Sequence, residues 1–411
     1  VLYAGSATAG AWKTIDKGAN WELITRDLDI GGVYALEIDF TNPDIVYISP
    51  FGGIYKSYDG GANWTVIGDA AFINISPGIS DMKLKPSNNL ELFVASDEGL
   101  FKSIDGGNNF TQIMSGRFLE IEFHPNNPNT MYFVKQAGDS TLFYRSDDGG
   151  NTLTNFTNGW PNPNSVGGEQ KRTEIAISPA APDKIVALAT GSANGGSGLY
   201  GIYISDDKGE NWTFQCCGPQ PAGPPDSVNI NMMGWQPDGS DDGGQYYYDL
   251  GLAVNPTNAD IIHVGGVQHW ISFDNGVSFT CPAKWSEPHK KGYVHADIHD
   301  INYFGNDLWF ACDGGVFYSD NAGDSIYKKQ YGIAGADFWG FGAGFKDGEV
   351  MLGGTYHNGT MLKDGNTYIN DWLCTDGGDG IRGFVNFGNP RVAYSDYGGK
   401  ILSGDRTVPI A

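Results

Sequence analysis

Ser57-Tyr-Asp-Gly-Gly-Ala-Asn-Trp64 decides the reading of this chain, because its pattern, S/T-x-D-x-G-x-x-W/F, returns as Thr14-Ile-Asp-Lys-Gly-Ala-Asn-Trp21 and as Ser103-Ile-Asp-Gly-Gly-Asn-Asn-Phe110. Four more worn copies follow, Ser146 to Leu153, Ser205 to Trp212, Ser272 to Phe279 and Ser319 to Ile326. Counted at the third residue, Asp16, Asp59, Asp105, Asp148, Asp207, Asp274 and Asn321 stand 43, 46, 43, 59, 67 and 47 residues apart. The residue types explain one another. Asp accepts backbone N–H bonds in a tight turn, Gly takes the positive φ such a turn needs, and the aromatic ring packs under the hairpin.

The same strand pattern surrounds each copy. Val33 to Asp39 reads as a buried strand, Thr41-Asn-Pro-Asp44 as a turn, and Ile45 to Ile48, Gly53 to Ser57 and Trp64 to Ile67 as three more strands. Short strands at this spacing predict an all-β chain, with about 40–50 residues per four-stranded propeller blade. Two weaker units, Lys363 to Tyr368 and Ser395 to Gly399, extend the series. The expectation is a single β-propeller domain over residues 1–411 with about eight blades, in a range of roughly seven to ten. The first blade enters part-way through its strands, so ring closure needs a strand from elsewhere. The long intervals hold insertions near 191–198 and 216–244, and loops of that kind are where propellers carry function.

Composition narrows the partners. With 60 Gly and 20 Pro in 411 residues the chain is rich in turns, yet 40% hydrophobic and 13% aromatic residues leave enough apolar side chain for a core. A net charge of −23 repels phosphate backbones and anionic lipid headgroups, so nucleic acid is excluded as a partner. No apolar run reaches the ~18 residues of a membrane span. Five Cys (Cys216, Cys217, Cys281, Cys312, Cys374) lack C-x-x-C spacing, which leaves free thiols or one or two bridges open and indicates no zinc site.

The repeat resembles the Asp box, or BNR repeat, of sialidases, xyloglucan hydrolases and the sortilin ectodomain, all β-propellers. The resemblance implies that Asp16, Asp59, Asp105, Asp148, Asp207 and Asp274 are structural, in turns at the blade periphery away from any catalytic face. The later half is similar to secreted Bacteroidetes propellers of the sortilin and xyloglucanase type, parts of proteins exported by the type IX system. The matching stretches are Gly244-Gln-Tyr-Tyr-Tyr-Asp249, His295-Ala-Asp-Ile-His299, Asp313-Gly-Gly-Val316 and Gly353-Gly-Thr-Tyr-His-Asn-Gly-Thr360. That group more usually reads Gln-Asp-Asn-Gly where this chain has Tyr356-His-Asn-Gly359. A sialidase needs an arginine triad and an Arg-Ile-Pro; this chain has only seven Arg and no such tripeptide. The xyloglucan hydrolases carry a catalytic Asp where this chain reads Ile48-Ser-Pro-Phe-Gly-Gly53.

Candidate chemistry gathers where the innermost strands begin. Asp249, His295 and Asp297 stand at comparable strand starts, with Arg117 and Arg172 nearly equivalent in earlier blades, so these five are expected to face one another. His295, Asp297 and His299 alternate along a presumed strand and would point to one face, as metal ligands or as packed inner-strand groups. Asp249 and Asp297 would serve as acid and base of an inverting glycosidase if about 6.5 to 9.5 Å apart. Asp238, Ser240 and Asp242 occupy positions 1, 3 and 5 of an EF-hand-like loop with Asp249 at position 12, so calcium is the one cofactor with a candidate loop, against the alternative of a solvated acidic loop. Trp235, Tyr247 and His357 complete the ligand-binding candidates, since sugars and peptides both stack on exposed rings. The leading expectation is a non-catalytic, secreted or cell-surface module that binds an extracellular glycan or protein, engaging secretion machinery if exported by the type IX route. The competing one is a glycoside hydrolase using Asp249 and Asp297.

Overall fold

Glycine and proline cut this chain into short apolar runs, and each run pairs antiparallel with the next. The computed structural model describes all residues except 76, 164–168, 194–195, 218–229, 357, 366–371, 404–405 and 410–411, and gives the backbone alone at 192–193, 196–197, 403 and 406–409. The chain divides into two compact units, Val1–Ile333 and Ala334–Ala411.

Within the first unit seven antiparallel sheets follow in chain order among the described residues. Blade 1 is Leu2–Ser6, Gly10–Thr14 and Glu22–Leu23. Blade 2 is Ala35–Ile38, Val46–Ser49, Ile54–Ser57 and Thr65–Ile67; blade 3 is Ile79–Lys85, Asn88–Ser96, Gly99–Ser103 and Thr111–Ser115. Blade 4 comprises Phe118–His124, Asn127–Ala137, Ser140–Ser146 and Thr154–Phe156, and blade 5 Glu169–Ser178, Ala181–Ala193, Gly196–Ser205 and Thr213–Cys216. Blade 6 has Gly251–Val254, Ile262–Gly265 and His269–Ser272, with an Ile271–Thr280 bridge standing in for a fourth strand. Blade 7 is Ile298–Phe304, Asp307–Cys312, Gly315–Ser319 and Tyr327–Lys328.

The first strands of blades 2 to 7 neighbour one another in sequence, and blade 1 closes on blade 7. Trp21 donates its backbone N–H to Tyr331 O (2.9 Å) and its indole N–H to Lys329 O (2.6 Å), and Trp12, Trp21, Trp309 and Val316 form a shared buried cluster. This is a β-propeller. Between blades, mixed aliphatic and aromatic clusters are shut off from water; Tyr132, Val134, Phe143, Trp160 and Trp212 form one of them.

All seven repeat turns join the third strand of a blade to a large apolar residue before the fourth, aromatic in all but blades 4 (Leu153) and 7 (Ile326), and all carry the same bonds. In blade 2 the Ser57 hydroxyl donates to Asp59 Oδ1 (2.9 Å) and accepts the Gly61 N–H (2.8 Å), while Asp59 accepts from Asn63 N (2.8 Å) and Asn63 Nδ2 (2.8 Å). The bonds recur in blade 7 with Asn321 in place of Asp. These bonds hold the carboxyls of Asp16, Asp59 and Asp148 down at about 2. The residue after the acid is left-handed in every copy; Lys17, Lys208, Asn275 and Ala322 accept that geometry at roughly 1–2 kcal/mol each.

A basic side chain just before each of the first four turns reaches the turn of the following blade. Lys13 Nζ donates to Gly60 O (3.1 Å), Lys56 to Gly106 O (3.0 Å), Lys102 to Gly149 O (2.8 Å) and Arg145 to Lys208 O (3.1 Å).

The second unit holds two four-stranded sheets, Phe338–Ala343, Val350–Thr355, Gly359–Asp364, Leu373–Asp376, and Gly383–Val385, Val392–Ser395, Gly398–Ser403, Arg406–Pro409. Val350, Leu352, Leu362, Val385, Ala393 and Leu402 are its buried core. Residues 395–399, expected as a last repeat turn, instead make the hairpin between second and third strands, because Ser395 pairs directly with Gly398. Part of the 363–368 unit falls outside the described residues.

Candidate functional site

Strand geometry places the repeat turns and the first-to-second-strand turns at one end of each blade. The blade-to-blade connectors and second-to-third-strand hairpins therefore lie at the other end. At that connector end the innermost strands of the first unit converge on a polar bore. Glu37, Asp81, Glu120, Glu122, Glu174 and Asp300 line it, with Lys83 and Arg172 as counter-charges; Lys83 pairs with Glu122 at 3.3 Å and Arg172 with Glu174 at 3.2 Å. Three carboxylates also tie their blade to the next: Glu37 accepts Leu84 N–H (2.9 Å), Asp81 accepts Ile121 N–H (3.0 Å) and Glu120 accepts Ile175 N–H (2.7 Å). Burial raises the carboxyl pKa values here, Glu37 to about 7, with neighbouring acids adding to the effect. The Lys83, Glu122 and Glu174 side chains remain 33, 30 and 27% exposed, so water in the bore softens these shifts.

Arg172 links the bore to its mouth, donating toward Tyr246 O (3.4 Å) and Tyr248 O (3.5 Å). There the turn 245–249, closed by bonds from Tyr248 N and Asp249 N to Gln245 O, sets two small networks side by side. In the first, the Gln245 amide donates to Asp249 Oδ2 (3.3 Å) and Asp297 Oδ1 (2.5 Å). In the second, Asp313 accepts from the Tyr248 hydroxyl (3.1 Å) and meets His299 Nε2 at 2.7 Å, with the Tyr248 ring edge-on to His299. Asp249 is only 1% exposed, and its Oδ1 has no partner among the described residues. Burial drives its carboxyl up to about 7, against the pull of the Gln245 bond.

Of the expected residues, Arg172, Asp249 and Asp297 come together here. His295 is half-buried against Gly314, its Nδ1 facing Ala296 O at 3.2 Å. Arg117 is exposed on the lead-in to blade 4. Trp235 and Tyr247 are 42 and 71% exposed, open to a stacking partner. His357 lies outside the described residues.

Two expectations change, the shared face of His295, Asp297 and His299 and the calcium loop. His295, Asp297 and His299 do not share a strand face: the strand starts at Ile298, and Asp297 has a φ of +65°, which breaks the alternation. Asp249 and Asp297 bond one amide nitrogen, so their bonded oxygens are at most about 6 Å apart. The calcium loop is not assembled. Asp238 caps its own turn by accepting Ser240 N–H (3.1 Å), and Asp249 is engaged by Gln245 instead of joining Asp238, Ser240 and Asp242. Among the described residues no three His, Cys, Asp or Glu side chains converge as a metal shell. Cys216 and Cys217 form a disulfide between adjacent residues; Cys281, Cys312 and Cys374 are free.

A second feature of the connector end went unforeseen. The connector from blade 1 to blade 2 and the Pro50–Gly53 hairpin enclose an open cavity of about 280 Å³, lined by Asp29, Tyr34, Phe51, Tyr55 and Val66. Phe51 is 85% exposed. The bore carboxylates were also missed; alternating acids on a strand usually mark a solvated face, and only the recurrence of that alternation in successive inner strands signals a shared channel.

No family model and no curated protein matches the sequence. Solved structures show the fold. The GH74 enzyme of Niastella koreensis is 16% identical over 98% of this chain and 69% of its own, with a TM-score of 0.58. PorZ, a surface component of the type IX secretion system of Porphyromonas gingivalis, is 12% identical with a TM-score of 0.52, covering 94% of this chain and 47% of its own. The extracellular domain of BT4673 from B. thetaiotaomicron is 10% identical with a TM-score of 0.52, covering 99 and 50%. This chain thus spans about half of the last two. Among the described residues no helix is long and apolar enough to cross a membrane.

Proposed function

We propose that this chain is a non-catalytic binding module of a secreted or cell-surface protein, taking an extracellular glycan or protein on the connector end of its propeller. The observation that carries this reading is a contrast in exposure between the bore-mouth carboxylates and two aromatic rings. Asp249 is sealed and bridged to Asp297 by Gln245, where a hydrolytic pair would need to reach substrate, whereas Trp235 and Tyr247 stand open for stacking. The surplus of carboxylates selects uncharged or basic ligands over anionic ones. Similarity to an enzyme and to a surface component of the same fold supports no choice between catalysis and binding.

Glycan and peptide arrays followed by calorimetry test the reading. Trp235→Ala and Tyr247→Ala should each weaken binding by about tenfold or more, with Tm unchanged. Reducing-sugar release from a polysaccharide panel, abolished by Asp297→Asn, would replace this reading with the glycoside hydrolase one.

A further inference from the structure

The connector from blade 1 to blade 2 carries one glycine pair, Gly31-Gly32, and the hairpin between the second and third strands of blade 2 carries another, Gly52-Gly53. Backbone geometry demands one glycine of each pair: Gly52 is left-handed at φ +86°, and a Cβ on Gly32 would strike Ala7 O. The other two are not needed for packing. A Cβ at Gly31 or Gly53 meets no atom within 4 Å, and both positions border the cavity of about 280 Å³ that the connector and hairpin enclose. Its aromatic rim is formed by Tyr34, Phe51 and Tyr55, the first two exposed and the third half-buried. In blades 3, 4 and 7 the corresponding hairpin carries an acid that is already engaged: Asp97 accepts Gly78 N–H (2.8 Å), Asp139 pairs with Lys171 (2.9 Å) and Asp313 accepts from Tyr248 (3.1 Å). Blade 2 places the open ring of Phe51 there instead. Among the described residues of the lining Asp29 is the charged one; it is exposed and enters no ion pair.

We propose that this cavity is a subsite for an arginine side chain, so that the connector end takes a basic protein segment. The inference rests on the binding reading above for the end of the propeller it uses, and it narrows the ligand class. Aromatic faces attract a cation through the ring quadrupole. Guanidinium suits such a place better than ammonium does: it is flat and weakly hydrated, so it can lie on a ring while the N–H groups of its edge turn to a carboxylate, here Asp29. The field of the whole molecule acts in the same direction, since a net charge of −23 gathers basic segments and repels acidic ones. A neutral sugar would stack on the same rings and draw nothing from that field.

Ligand-observed NMR on the full chain tests this with three probes: acetyl-arginine methylamide, its citrulline counterpart of the same shape and no charge, and methyl β-glucoside. The arginine probe is expected to bind, and the citrulline probe to bind about tenfold more weakly. Asp29→Asn and Phe51→Ala should each weaken the arginine probe by about threefold or more. Gly53→Leu, or Gly31→Leu as a second filler of the same space, should abolish its binding with Tm unchanged. Trp235→Ala and Tyr247→Ala should leave it unaltered, so loss of the stacking site and loss of this one are told apart. Equal affinity of the arginine and citrulline probes overturns the cation subsite, as does arginine binding that survives both fillers. Tighter binding of methyl β-glucoside than of the arginine probe, abolished by the same fillers, makes the cavity a sugar subsite and overturns the basic partner.

Discussion

Gln245 is the residue on which the bore mouth turns. Its amide is the bonded donor shared by a buried and a half-buried carboxylate, and no repeat pattern announces it. Gln245→Ala should lower Tm by several degrees at pH 8, since a buried carboxylate then loses its donor at a cost of about 1–3 kcal/mol. The loss should shrink at pH 5. The Asp249 carboxyl sits at about 7, above its unfolded value, so the folded state takes up a proton as pH falls and the uncompensated charge disappears. Equal losses at the two pH values, read by calorimetry, would contradict this account. Such residues were illegible in the sequence because their roles depend on which blades meet. The turn residues were legible because Ser, Asp and Gly each fill a distinct atomic task within eight positions.

At the scale of elements, the basic residues ahead of the first four turns join each blade to its successor. Lys56 is 6% exposed, and its ammonium bonds Gly106 O while lying 4.7 Å from the Tyr47 and Tyr58 ring centres. Lys56→Met keeps the aliphatic stem and removes the charged bond, so a loss of about 1.5–3 kcal/mol is expected in denaturant titration. Lys290→Met, at an exposed ion pair, should stay within about 0.5 kcal/mol. The four-stranded unit and its strand order were readable from periodicity. The alternation expected across His295, Asp297 and His299 was not realised, because a left-handed residue ends the connector one position before the strand begins.

In the first unit the bore contributes a pH response of definite sign. Glu37, held at about 7, is protonated in the folded chain and ionised in the unfolded one between pH 4.5 and 7; stability from this group therefore falls as pH rises through that window. Glu37→Gln retains an acceptor for Leu84 N–H, so the variant should melt higher than the parent at pH 8 and equal to it near pH 5. Added salt should narrow the gap at pH 8 by screening the surrounding carboxylates. The buried His263–His269 pair, kept neutral by burial, acts in the opposite sense and loses stability as pH drops below 6.5.

The four staples from Lys13, Lys56, Lys102 and Arg145 all run forward along the chain, each grasping a carbonyl that is made later than the side chain holding it. During ribosomal synthesis, therefore, no early blade can be clasped until its successor has emerged. The seam, Trp21 against Lys329 and Tyr331, joins the first blade to the last, so it cannot form before that last blade has been made.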